Sequence, residues 1–197
     1  MSLSSNTNGD YGRRDYWDQR YENDEEFEWC KEYSVLKPLL VEHVNPQDAI
    51  LILGCGNSEL GSEMYNDGFQ NITNIDFSSV VISKMKTKYP FMKWITMDML
   101  NLDFPNATFN IVIEKATLDV LFVNEASPWS VSDEVSANMN KVLSSVSKIL
   151  KPGGKFLSIT FAQPHFRTKL YKEHWSNCTY STFGSGFHYY FYVSRHN

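Results

Sequence analysis

"LILGCGNSELG", residues 51–61, is the stretch that decides the fold of this chain. It continues an apolar run that begins at Ala49, and an uninterrupted run of this kind is typical of a strand buried on both faces. Glycines stand at positions 54, 56 and 61. Because glycine permits tight backbone conformations, the stretch predicts a strand, a glycine-rich turn and the start of a helix.

The same alternation of strand and helix continues along the chain. Further strands are predicted in "NITNIDFS" (71–78), "MKWITMD" (92–98), "FNIVIEKA" (109–116) and "KFLSITFA" (155–162). The clearest helix begins near residue 132, with Ser130 and Asp133 as its predicted capping box. The tail alternates around Gly184 and Gly186, which predicts an antiparallel hairpin.

Strands that alternate with helices form a mostly parallel sheet with helices on both faces. Together with the terminal hairpin, these strands predict a single doubly wound α/β domain with a seven-stranded sheet. The length of 197 residues suits one such domain.

Composition and charge exclude several classes of function. The formal net charge is −5, whereas non-specific nucleic-acid binding needs a basic face. The 3 cysteines and 5 histidines show no metal-ligand spacing, so no metal site is expected. No apolar run approaches the roughly 18 residues of a membrane span, and no secretory leader is visible, which predicts a cytoplasmic protein.

The glycine-rich turn indicates a ligand class. A phosphate-binding loop needs Gly-Lys-Ser/Thr after its glycines, and this turn has none. A dinucleotide fingerprint needs a third glycine at the position of Glu59, whose charge would repel a pyrophosphate. The remaining class is S-adenosylmethionine, which needs close backbone approach to Gly54 and Gly56 but carries no phosphate.

Two carboxylates follow the next two predicted strands. Asp76 comes 22 residues after Gly54, where it can accept hydrogen bonds from both ribose hydroxyls. It would serve a nicotinamide dinucleotide equally well. Asp98 can accept from the adenine amino group or cap a turn, and Phe77 and Met99 are candidates to pack against the base.

The motifs occur in the order of the class I, seven-stranded methyltransferases, which the chain resembles over residues 13–195. "DYWDQRY" (15–21) and "EKATLDVLF" (114–122) make it similar to a eukaryotic methyltransferase-like group that methylates lysines of translation elongation factor 1-alpha. That group usually has Asp-Lys-Gly-Thr-Leu-Asp after the fourth strand. Here Glu114 keeps the acid, and Ala116 replaces the glycine.

The resemblance implies a protein-lysine N-methyltransferase that uses S-adenosylmethionine, releases S-adenosylhomocysteine and acts on elongation factor 1-alpha without a metal. It implies a methyltransferase domain at 13–197, with an N-terminal helical lid at 13–45 and a Rossmann-like core at 46–197. Residues 1–12 are predicted to be disordered. A cytoplasmic monomer without nucleic-acid or membrane partners is expected.

The implied cofactor contacts come from the N-terminal segment and from the ends of four strands. They are Trp17, Tyr21, Trp29, Gly54, Gly56, Asp76, Phe77, Asp98, Met99 and Lys115. Trp17 and Tyr21 are one helical turn apart, so they share a face, and aromatic rings attract a sulfonium. Lys115 is a candidate partner of the cofactor carboxylate, and the alternatives are a surface lysine or an ion pair with a neighbouring acid.

No catalytic residue follows from the motifs alone. Glu114 and Asp119 are candidates to steer the substrate ammonium or accept its proton, and each can equally hold the loop after the fourth strand. Phe183, Phe187 and His188 in the hairpin are candidates to border the acceptor site.

Three alternatives stay open on the residues alone. A small-molecule methyltransferase would use the same cofactor residues. A nicotinamide-dependent oxidoreductase would need a catalytic Tyr-x-x-x-Lys, and "YSVLK" (33–37) has that spacing but precedes the first strand. A non-catalytic module that binds S-adenosylmethionine would keep the glycines and both carboxylates.

Overall fold

Seven strands form one sheet in the computed structural model, which describes residues 8–24, 26–127 and 129–196. The strands are β1 (Ile50–Leu53), β2 (Ile72–Asp76), β3 (Lys93–Thr96), β4 (Phe109–Lys115), β5 (Leu150–Thr160), β6 (Asn177–Phe183) and β7 (Tyr189–Arg195). Their order is β3-β2-β1-β4-β5-β7-β6. The first five strands are parallel, and β7 is antiparallel to both of its neighbours. The predicted mostly parallel sheet with an antiparallel C-terminal hairpin is confirmed.

Helices cover both faces of this sheet, as predicted. They are α1 (Arg14–Asn23), α2 (Tyr33–Leu40), α3 (Leu60–Asn66), α4 (Ser79–Lys88), α5 (Asp133–Ile149) and α6 (Pro164–Lys172). The first four contribute to the core on one face, and α5 and α6 contribute to the core on the other.

The sequence of β1 explains how both cores form. Alternate side chains of a strand point to opposite faces of the sheet. Ile50 and Ile52 belong to the core beneath α1–α4, whereas Leu51 and Leu53 belong to the core beneath α5. All four side chains are buried, which is why the strand is apolar without interruption.

The helix α5 begins close to the predicted position, but its capping residue differs from the prediction by two positions. Ser132, rather than Ser130, is the N-cap, and its Oγ accepts a hydrogen bond from the Val135 amide at 3.3 Å. Ser132 has the extended backbone that an N-cap requires, with φ −65° and ψ 156°.

Of the stretch predicted to be disordered, residues 1–12, the structure describes only the last five residues, and residues 1–7 lie outside the described part. Asn8–Gly12 forms a 3-10 turn. The indole Nε1 of Trp17 donates a hydrogen bond to the Tyr11 carbonyl oxygen at 2.7 Å. This bond connects the turn to α1.

The strand order reverses beside β1. The chain moves outward from β1 to β3 and then returns to place β4 on the other side of β1. Ligands of such sheets bind at the carboxyl ends of the strands next to the reversal. The glycine-rich turn that follows β1 lies at this position.

Candidate functional site

A cavity of about 890 Å³ lies at the carboxyl ends of the parallel strands. All ten predicted cofactor residues line it, namely Trp17, Tyr21, Trp29, Gly54, Gly56, Asp76, Phe77, Asp98, Met99 and Lys115. Of the two catalytic candidates, Asp119 lines the cavity and Glu114 does not. The structure therefore brings the predicted cofactor residues together, and their roles in binding stay predictions.

Gly54 makes room for a side chain from the loop after β4. Its φ is +65°, and an added Cβ would lie 2.2 Å from Cγ2 of Thr117. The Thr117 hydroxyl donates to the carbonyl oxygens of Leu53 at 2.9 Å and Gly54 at 3.1 Å. Glycine is thus needed at position 54 for close packing between the two loops as well as for backbone conformation.

Asp76 connects the turn after β1 to the turn after β2. Its buried carboxylate accepts hydrogen bonds from the Gly56 and Ser78 amides, each at 2.9 Å. Burial raises the pKa of Asp76 to about 6, although these two amide bonds act in the opposite direction.

Binding of an adenosyl ligand is expected to weaken below about pH 6. Ribose hydroxyls donate to a carboxylate, so binding favours the ionised form of Asp76 and affinity falls as the pH drops through its pKa. Asp18 raises that pKa and Arg14 lowers it. Calorimetry should show about tenfold weaker binding one pH unit below the pKa. Asp76→Asn should give a flat profile, and a flat wild-type profile would contradict the assignment.

Asp98 stands at the turn after β3, and it lines the same cavity as Phe77 and Met99. Its Oδ1 accepts the Leu100 amide at 2.8 Å and caps a short 3-10 helix, Met99–Asn101. The turn-capping role considered for this residue is therefore present in the structure. This hydrogen bond holds the Asp98 carboxylate at the cavity, where the carboxylate can also accept a hydrogen bond from an adenine base.

The N-terminal segment, defined here as residues 8–24 and 26–45, supplies an aromatic wall. Trp17 and Tyr21 stack with ring centroids 5.4 Å apart. The Arg20 guanidinium lies over the rings of Phe27 at 4.5 Å and Trp29 at 5.6 Å. These rings already make cation–π contacts with the protein's own Arg20, and the same kind of attraction is expected between such rings and a sulfonium.

Lys115 has two protein partners. Its Nζ donates to the Trp29 carbonyl oxygen at 2.9 Å and forms an ion pair with Glu28. Its side chain is only 6% exposed. Of the partners considered for Lys115, the structure shows the neighbouring acid.

Glu114 lies beneath the loop after β4. Its Oε2 accepts the amides of Thr117 at 3.0 Å and Leu118 at 3.1 Å, and its Oε1 accepts the Ser158 hydroxyl. Burial, followed by repulsion from Asp119, raises the pKa of Glu114 to about 7. These contacts favour the loop-holding role over proton transfer.

The carboxylate of Asp119 also accepts hydrogen bonds from other side chains of the protein. Its carboxylate accepts the Thr160 hydroxyl at 2.7 Å and pairs with Nη2 of the buried Arg167 at 2.7 Å. Because the guanidinium balances its charge, Asp119 is a weak candidate for a base.

The alanine at position 116 has a left-handed backbone, with φ +57°. This conformation costs an L-residue roughly 1–2 kcal/mol and glycine almost nothing. This conformation explains why the methyltransferase-like group that the chain resembles usually has glycine at this position.

Ala116→Gly is expected to raise the free energy of unfolding by about 1 kcal/mol. The relief of left-handed strain exceeds the entropy that glycine adds to the unfolded chain. Chemical denaturation measures the change. Ala137→Gly, on an exposed position of α5, should instead lower stability by roughly 0.5–1 kcal/mol. A loss of stability in Ala116→Gly would contradict the prediction.

Sequence reasoning missed Asn57, which stands inside the glycine-rich turn. Its side chain is buried and lines the cavity, and its Nδ2 has no hydrogen-bond partner among the described residues. A buried donor without a partner is costly, so an acceptor on a ligand would stabilise it. The signal that the sequence offered was the polar amide side chain of Asn57 within the glycine-rich turn.

The part of the cavity near β4 and β5 has an apolar wall that the sequence did not predict. Its residues include Val120, Leu121, Phe122, Phe161 and Phe166. The hairpin candidates Phe183, Phe187 and His188 are not among the lining residues. Residues at the start of α6, rather than the predicted hairpin residues, line this wall.

The Tyr-x-x-x-Lys spacing at 33–37 has a structural explanation. The Tyr33 hydroxyl donates to Asp67 at 2.8 Å, and Lys37 pairs with the same carboxylate at 2.7 Å. Neither residue lines the cavity. The arrangement joins α2 to the end of α3 and gives no support to an oxidoreductase.

Within residues 8–24, 26–127 and 129–196, no group of three or more His, Cys, Asp or Glu side chains is placed to hold a metal ion. No helix in these ranges is both long and apolar enough to cross a membrane.

Comparison with known proteins agrees with the geometry of the site. A family profile described as "Methyltransferase domain" matches residues 45–188. EEF1A lysine methyltransferase 4 of Mus musculus is 43% identical over 195 residues, covering 94% of this chain and 76% of that protein. The Bos taurus protein of the same name is 42% identical over 194 residues, with the same coverage.

A solved structure agrees in fold. The N-methyltransferase NodS from Bradyrhizobium japonicum, solved with S-adenosyl-L-homocysteine, aligns with a TM-score of 0.66 at 13% identity. The alignment covers 93% of this chain and 97% of that one. The chain therefore belongs to the methyltransferase-domain family, among the EEF1A lysine methyltransferases.

Proposed function

We propose that this protein transfers a methyl group from S-adenosylmethionine to a lysine side chain of translation elongation factor 1-alpha. The names of its mammalian relatives support the substrate. The observation that carries the proposal is a single cavity with two different walls. One wall holds Asp76 and the glycine-rich turn, and the other, near β5, combines apolar and aromatic side chains with the Asp119–Arg167 ion pair.

The residues at the first wall fit S-adenosylmethionine. Gly54 and Gly56 permit close backbone approach, Asp76 offers acceptors to hydroxyls, and Asn57 offers a buried donor without a protein partner. When bound, S-adenosylmethionine supplies a methyl group on a sulfonium, and S-adenosylhomocysteine is the product.

The second wall suits a deprotonated amine. At pH 7 a lysine with the reference pKa needs about 4.6 kcal/mol to lose its proton. Burial among apolar side chains such as Phe161 and Phe166 lowers a lysine pKa by up to several units. Glu114 lies outside the cavity and Asp119 is paired with Arg167, so we propose that both hold the loop while the proton leaves to solvent.

The remaining expectations follow from the substrate. A translation factor is a cytoplasmic protein partner, so we propose a cytoplasmic enzyme that acts as a monomer without metal, nucleic acid or membrane. The net charge of −5 is compatible with a protein substrate and unfavourable for nucleic acid.

The test is transfer of labelled methyl from S-adenosylmethionine into purified elongation factor 1-alpha, followed by peptide mapping. Label on a lysine, absent with Asp76→Ala, is the expected result. If the cofactor binds but no label appears, whole-cell extract and then small amines are the next acceptors. Label in a small molecule alone would favour the small-molecule alternative, and no label anywhere would favour a non-catalytic binding module.

A further inference from the structure

Glu28 is a partly buried acid in the N-terminal segment that neither the motifs nor the family pattern singled out. Its carboxylate accepts the Ser58 hydroxyl at 2.9 Å and the Glu59 amide at 2.7 Å, and it pairs with Lys115. Its side chain is 18% exposed. One carboxylate thus joins the N-terminal segment, the turn after β1 and the end of β4.

The flanking residues carry the aromatic wall. Phe27 and Trp29 both line the cavity, and Nζ of Lys115 also donates a hydrogen bond to the Trp29 carbonyl oxygen. Directly afterwards the backbone takes positive φ values at Cys30 (60°) and Lys31 (124°). Such conformations persist only where surrounding contacts hold them in place, and the bonds to Lys115 are contacts of that kind.

Lys115 is therefore committed to this network. Only two cationic side chains, Lys115 and Arg167, line the cavity within the described ranges, and each is paired with a carboxylate of the protein. A cofactor carboxylate that used Lys115 would have to compete with Glu28 for it.

We infer that Glu28 and Lys115 form a latch that holds residues 27–29 against the cavity and slows cofactor release. Both act as positioning residues: Lys115 retains the cofactor through Glu28 and the aromatic wall rather than as the partner of the cofactor carboxylate. The inference rests on the proposed use of S-adenosylmethionine.

A double-mutant cycle tests the latch. Glu28→Gln, Lys115→Met and the double variant are compared by calorimetry and stopped-flow with S-adenosylhomocysteine. Each single variant should bind about tenfold more weakly, through faster dissociation, and the double variant should be no weaker than the singles. Glu26→Gln, two positions away on an exposed side chain, is the control and should match the wild type.

Two results would overturn the latch while leaving the proposed function intact. One is additive loss in the double variant, which would place Lys115 directly on the cofactor. The other is unchanged dissociation in a folded Glu28→Gln variant. Thermal unfolding of each variant checks folding, and Glu28→Asp replaces Glu28→Gln if the latter unfolds. Failure of the wild type to bind S-adenosylhomocysteine would instead overturn the proposed function and the latch together.

Discussion

Asp76→Ala is expected to weaken S-adenosylmethionine binding by well over tenfold. Hydrogen bonds to a charged acceptor contribute roughly 1.5–3 kcal/mol each, and about 1.4 kcal/mol corresponds to a factor of ten. The substitution removes the acceptor for ribose hydroxyls. It also leaves the Gly56 and Ser78 amides without their 2.9 Å partner, so the two turns lose their connection.

Isothermal titration calorimetry measures this loss, with circular dichroism to confirm that the variant is folded. Asp103→Ala removes an exposed carboxylate from a loop outside the cavity and should bind like the wild type. Asp76→Asn keeps one acceptor oxygen, and its affinity should lie between that of Asp76→Ala and that of the wild type. Wild-type affinity in a folded Asp76→Ala protein would refute the ribose assignment.

Gly54→Ala is expected to reduce cofactor affinity by more than tenfold and to lower the free energy of unfolding by about 2–4 kcal/mol. The new Cβ would lie 2.2 Å from Cγ2 and 2.5 Å from Oγ1 of Thr117. Thr117 is short, β-branched and hydrogen-bonded to the carbonyl of Leu53, so it cannot turn aside without breaking that bond. The loops after β1 and β4 must therefore separate.

Gly153→Ala is a matched control, because Gly153 has a similar φ of +76° but no atom within 4 Å of the added Cβ. It should lose only the roughly 1–2 kcal/mol of left-handed strain and keep its affinity. Adding Thr117→Ala to Gly54→Ala should restore part of the stability. Equal losses in the two glycine variants would show that packing against Thr117 has no effect.

The sheet and the grouping of the ten candidate cofactor residues around one cavity could be predicted because their signals are local. Burial on both faces requires the uninterrupted apolar run of β1, Asp76 is the last residue of β2, and Asp98 follows the end of β3 by two residues. The resemblance to the class I methyltransferases, based on such motifs, is confirmed by the family match.

The missed parts depend on contacts between distant positions. The buried residues of α6 are Arg167 and Tyr171, which do not form an apolar stripe, and the guanidinium is stabilised by Asp119, 48 positions away. Glu28 meets Lys115 across 87 positions. Its neighbourhood in the sequence is acidic and looks solvated, so no local pattern could indicate its burial.

The aromatic wall contributed by the N-terminal segment has a thermodynamic consequence. A ligand that contacts both this wall and the sheet binds the docked arrangement more tightly than an open one, and so shifts the population towards the docked form. The shift is bounded by the difference in affinity between the two arrangements, so the tenfold difference expected for the latch corresponds to about 1.4 kcal/mol. The supply of methyl donor would then set the fraction of the protein in which the aromatic wall is docked against the sheet, in addition to the rate of turnover.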